Sequence, residues 1–113
     1  MQEIEFTVPP KFDFAQAEGC IEGVCARHGI EVAMKGSLAA YPGSIHWHYK
    51  KPKQKGTLEL TVFGRDGRIW AQVHTNRAAP WIPALLPKIR GDIERELRST
   101  GGRARSKPRQ RLQ

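Results

Sequence analysis

Three histidines and one acid are the residues of this chain best suited to chemistry. His46 and His48 stand two apart in the run Ser44-Ile-His-Trp-His-Tyr-Lys50, and His74 closes the later run Arg68-Ile-Trp-Ala-Gln-Val-His74. Imidazole is a ligand for zinc and nickel and a proton carrier near neutral pH. Residues two apart in a strand project from the same face, so His46 and His48 share a side and His74 lies on the outer side of its own strand. Glu59 is the nearest acid in the strands and could complete a ligand set. Nothing in the spacing brings the strands of His48 and His74 together, because another strand can separate them. The expectation is therefore imidazoles on a solvated sheet face, with no metal, no cofactor and no catalytic residue assigned.

The same face offers a second chemistry. His46, His48, Lys50, Arg68, Trp70, Gln72 and His74 interleave basic groups with an aromatic ring. Those are the ingredients of a platform on which single-stranded bases stack. Lys51, Lys53 and Lys55 form a flanking loop free of acids, and the tail from Ser99 to Gln113 carries Arg103, Arg105, Lys107, Arg109 and Arg111, again free of acids. Loop and tail hold the excess of a chain whose formal charge is +8, so the remainder is close to neutral. Basic patches of this kind attract polyanions by releasing counterions. The reading from sequence is a small non-enzymatic nucleic-acid-binding protein, with RNA or single strands favoured over duplex DNA. The alternative is a protein-interaction adaptor or homodimer that uses the same face, with Trp70 and Phe63 as its apolar patch.

Enzyme signatures are missing. No serine or cysteine stands at a recognisable spacing from a histidine, and Gly64-Arg-Asp-Gly67 precedes a strand rather than the helix of a phosphate loop. Cys20 and Cys25 lie in one expected helix, where five residues separate them by ~7.5 Å along the axis and turn them about 140° apart. That spacing suits neither a disulfide nor a shared metal, and both read as small buried side chains.

Those groups must be positioned by an ordinary small core. The chain has 113 residues, 39% hydrophobic and 27% charged, which is the size and balance of one domain. No apolar run approaches the ~20 residues of a membrane span. The first residues are acidic rather than basic-then-apolar, so a cytoplasmic protein is expected.

Alternation identifies the strands. Ile4, Phe6 and Val8 alternate with Glu3, Glu5 and Thr7, and Pro9-Pro10 ends that run. Ile30, Val32 and Met34 alternate with Glu31, Ala33 and Lys35. Tyr41-Pro-Gly-Ser44 reads as a type II turn. Then Ile45, Trp47 and Tyr49 oppose the histidines, Leu58, Leu60 and Val62 oppose Glu59 and Thr61, and Ile69, Ala71 and Val73 oppose Arg68, Trp70 and His74. Asp66-Gly67 marks a tight hairpin in which both turn residues take positive φ.

Two stretches carry the helical period instead. Asp13 with Gln16 forms a capping-box pattern ahead of Phe14, Ala17, Ile21, Val24 and Cys25, and Gly29 ends that helix. Ile82, Leu85, Leu86, Ile89, Ile93 and Leu97 form one stripe of a second helix ending near Arg98, with Pro87 predicting a kink or restart. The order β-α-β-β-β-β-α predicts an α+β two-layer sandwich: an antiparallel meander sheet with both helices on one face, in a single domain over residues 1–98. Residues 99–113 are expected to be a disordered basic tail.

Overall fold

The computed structural model describes residues 1–106, and side chains through residue 99. It contains a five-stranded antiparallel sheet and two helices in the expected order. The strands are β1 (Gln2–Glu5), β2 (Glu31–Leu38), β3 (Tyr41–Lys50), β4 (Leu58–Phe63) and β5 (Arg68–Val73), and the helices are α1 (Ala17–Arg27) and α2 (Trp81–Ser106). In space the strands run β1-β5-β4-β3-β2. The first strand, whose partner the sequence left open, pairs with the last, Gln2 opposite Val73 and Glu5 opposite Trp70.

One face of the sheet is the core. Trp47 on β3, Leu60 on β4 and Ala71 on β5 lie in one cross-strand row, and all are at most 1% exposed. Ile21, Val24 and Cys25 of α1 and Ile82, Leu86, Ile89, Ile93 and Leu97 of α2 join them in one apolar cluster. Both cysteines are buried, as expected, and burial pushes the Cys25 thiol up to about 12. The Trp47 indole reaches past the core to donate to Glu22 of α1 at 3.0 Å, and Lys35 of β2 holds the same carboxylate at 2.6 Å. These cationic and indole donors keep the Glu22 carboxyl below its usual range.

Local expectations change at several places. Asp13 does cap a helical turn, accepting from Ala15 N at 3.0 Å, but that turn is a 3-10 turn over Phe14–Gln16 and α1 begins after it. Residues 41–44 are not the turn. The chain reverses at Ala39-Ala40, and Tyr41 already pairs with Leu38, because its ring packs edge-on against Phe63 and Trp70 at 5.2 and 5.1 Å. Tertiary aromatic packing has overridden a good turn tetrapeptide. The β4–β5 connection is a 3-10 turn over Gly64–Asp66 closed by Gly67 in the left-handed region, so only the glycine takes positive φ there. Finally, α2 passes through Pro87 as one helix and continues to Ser106, beyond the expected end near Arg98.

The irregularity that matters most for the outer face is in β2. Val32 pairs with Tyr49 and Met34 with His48, so a bulge absorbs Ala33 and breaks the alternation. Met34 therefore leaves the core face, where the sequence placed it, and joins the histidines. Lys35 takes a place on the helix side, opposite Trp47.

Candidate metal centre

Strand order decides the centre. β4 lies between the strand of His46 and His48 and the strand that leads to His74, and the outer-face residue it contributes is Glu59. The separating strand thus supplies the bridge. Glu59 pairs directly with His48 on one side and Gln72 on the other. Its Oε1 is 3.2 Å from His46 Nε2 and 3.7 Å from His48 Nε2. Its Oε2 is 3.3 Å from His74 Nε2 and 3.8 Å from Arg77 Nη1. The carboxylate is 6% exposed, so it needs these positive or polar neighbours to offset lost hydration.

His46 is the deepest of the three histidines at 3% exposed, which corrects the expectation of a solvated imidazole. The reason is a cleft of about 430 Å³ that sinks this half of the face. Met34, Ser37 and Leu38 from β2 wall one side, and Asn76 and Arg77, from the turn after β5, wall the other. Burial pulls His46 below the ordinary imidazole value of 6.5; Glu59 works against that shift, and the nearby His48 and His74 reinforce it. The second ring nitrogen, Nδ1, lies 2.7 Å from Thr61 Oγ1, itself fully buried. In the metal-free chain a neutral His46 donates from Nε2 to the Glu59 carboxylate, which can only accept, and its Nδ1 accepts from the Thr61 hydroxyl; a cation at Nε2 would take the place of that proton and reverse the bond to Thr61.

His46, His48 and Glu59 have ligand atoms that all lie within 4.8 Å of one another. A tetrahedral ion with bonds of ~2.0–2.2 Å needs donors ~3.3 Å apart, so these side chains would have to draw together to hold one. Two histidines and a carboxylate on one side of the ion, with the cleft on the other, suit zinc or ferrous iron better than magnesium or calcium, which prefer all-oxygen shells.

The other residues of the expected nucleic-acid surface are distributed differently. Trp70 is on the outer face but only 2% exposed, so no base can lie against it. Arg68 covers it, with the guanidinium carbon 4.2 Å from the ring centre. Arg68 is in turn held by both oxygens of Glu5 at 3.0 and 2.8 Å, a fork that lowers the Glu5 carboxyl. Lys50, Lys53 and Lys55 are exposed and Lys51 is half-buried. Their loop is pinned at its end, where Lys50 Nζ donates to Gly56 O at 3.2 Å and Trp81 Nε1 to Lys55 O at 2.8 Å. Gly56 is required there, since it has φ of +100° and a Cβ would meet that of Ala79 at 2.5 Å. The side chains of Arg103 and Arg105 lie outside those described, and residues 107–113 lie outside the described chain.

Sequence reasoning did not single out Thr61, Asn76, Arg77 or Met34. Alternation does place Thr61 with Glu59, so that signal was available. Arg77 and Asn76 sit in a 3-10 turn over Thr75–Arg77 with no periodic pattern to orient them. In comparisons with known proteins, the chain matches no family model, no curated protein and no solved structure.

Proposed function

We propose that this protein binds a divalent transition metal, zinc or ferrous iron, through His46, His48 and Glu59, and that the cleft gives the ion an exchangeable position. One observation carries the reading: a nearly buried carboxylate has two imidazole nitrogens on one oxygen, while His74 and Arg77 face the other. A lone buried acid is costly unless its neighbours balance it, and a cation between Oε1 and the two Nε2 atoms does so directly. His74 and Arg77 then orient the carboxylate from behind, and Thr61 orients His46, which is the usual role of outer partners. Three protein ligands with an open side are the pattern of reactive rather than purely structural sites.

The test is calorimetric titration of tag-free protein with zinc, with cobalt(II) absorption as a second readout. Wild-type protein should take up one ion per chain. His48→Ala and Glu59→Gln should each weaken binding by more than about tenfold, since even outer partners are worth that much. Equal affinity in wild type and both folded variants rules the centre out.

Nucleic-acid binding stands as the second reading, favoured by the position of the lysine loop. That loop leads into Thr57, whose N–H donates to Arg77 O at 2.9 Å, so the basic segment and the cleft wall are tied together. The buried ring of Trp70 narrows this reading to phosphate contacts rather than base stacking. Fluorescence anisotropy with mixed oligonucleotides at two salt concentrations tests it. Affinity that falls steeply with salt and weakens in a Lys51, Lys53 and Lys55 triple-alanine variant supports it; no affinity at low salt ends it.

A further inference from the structure

The charge of the cleft points to what occupies the open side of the ion. Among the residues that line it, Glu59 is the acid, and the remaining polar groups are His46, His48, His74, Asn76, Arg77 and Ser37. Imidazole ligands are neutral, so a divalent ion at His46, His48 and Glu59 is only half compensated by the protein. Arg77 adds a further positive charge within 3.8 Å of the carboxylate. An open cleft with such an excess of positive charge attracts a counter-anion.

We infer that this cleft takes a phosphoryl oxyanion as the exchangeable ligand of the metal, with Arg77 as its second anchor. This inference rests on the metal reading above. The fit is chemical as well as electrostatic. A phosphate oxygen is a good ligand for a divalent ion, and a guanidinium pairs with two further oxygens in its fork geometry. The Arg77 side chain is 47% exposed, on the wall rather than the floor, so it is free to swing from Glu59 to an incoming anion. The Asn76 amide and the Ser37 hydroxyl line the same space and can donate to a bound oxyanion. A carboxylate ligand is the weaker alternative, because it has one oxygen fewer to share among the ion, Arg77 and the neutral donors.

A phosphoryl group arrives either on a small molecule or at the end of a nucleic acid, and the experiment separates these sources. The full chain is loaded with cobalt(II), and the visible spectrum is followed during titration with inorganic phosphate at constant ionic strength, with chloride as control. The phosphorus NMR line of phosphate is recorded in parallel, since coordination to the paramagnetic ion broadens it. A change of spectrum with saturable broadening is expected. Arg77→Met should weaken phosphate about tenfold, the loss of one charge-assisted pair, while cobalt affinity holds or rises because a positive neighbour is gone. A merely structural Arg77 would weaken both together. Asn76→Ala gives a second, milder probe if the arginine variant does not fold. A 5′-phosphorylated oligonucleotide that competes with phosphate, where its dephosphorylated twin does not, assigns the group to nucleic-acid ends; equal failure of both assigns it to small phosphate esters. No cobalt spectrum at all overturns the metal reading and this inference together. A normal cobalt spectrum that ignores phosphate overturns this inference alone.

Discussion

The outer face of the sheet has two halves built from the same three strands, and they have opposite characters. Toward the lysine loop, His46, His48, Glu59 and His74 converge under a cleft. Toward the β4–β5 turn, Tyr41, Phe63 and Trp70 pack edge to face and Arg68 closes over them. One half leaves polar groups facing a space; the other fills its space with rings. They meet at one cross-strand row, His46–Thr61–Trp70, where a buried threonine has the imidazole on one side and the indole on the other. The difference teaches that exposure of a sheet face is a local property. The aromatic half is a second small core, packed beside the strand segments that present His46.

Variants can break that contrast. The largest effect is expected from Trp70→Ala, which empties a fully packed position and should cost about 3–5 kcal/mol in a denaturant titration. If that variant instead keeps its stability and loses oligonucleotide affinity, the aromatic half is a ligand surface and the contrast collapses. Thr61→Val keeps the shape and removes the oxygen beside His46 Nδ1. It should lower metal affinity about tenfold while denaturation stays within about 1–2 kcal/mol, so the two halves respond separately.

The titration of His46 sharpens the contrast further. Its folded value lies below the unfolded imidazole value, so the unfolded chain takes up the proton first. Its contribution to stability in metal-free protein is then complete above about pH 6.5 and is lost as pH falls from there through the folded value. Proton NMR should show one imidazole titrating below that range, and an ordinary value for every histidine would contradict the buried placement. The smallest effect is expected from Glu5→Gln, which breaks the exposed fork on Arg68 and should cost no more than ~1 kcal/mol. A larger loss would mean that the fork, rather than ring packing, holds Trp70 shut.

Much of the fold was legible because it rests on period. Alternation in residues 45–50, 58–63 and 68–73 states which side chains share a face, and the apolar stripes of α1 and α2 state that one face is covered. The errors lie where a distant partner outweighs a local preference. Tyr41 belongs to a strand because Phe63 and Trp70 are there to meet it, and Met34 changes face because a bulge absorbs Ala33.

By itself, then, the sequence determined the α+β order, the antiparallel meander and the placing of His46, His48, Glu59, Trp70 and His74 on a common side. Period carries that information, since a strand's side chains alternate whatever surrounds it. Only the tertiary structure decided their depth and their partners. Glu59 bridges the histidines because β4 is seated between their strands, His46 is buried because β2 and the turn at Asn76–Arg77 rise beside it, and Trp70 is closed off because Tyr41 arrives from β3 and Arg68, two residues earlier on its own strand, folds over the ring. Depth depends on what the rest of the chain brings to a residue, and no local pattern encodes that.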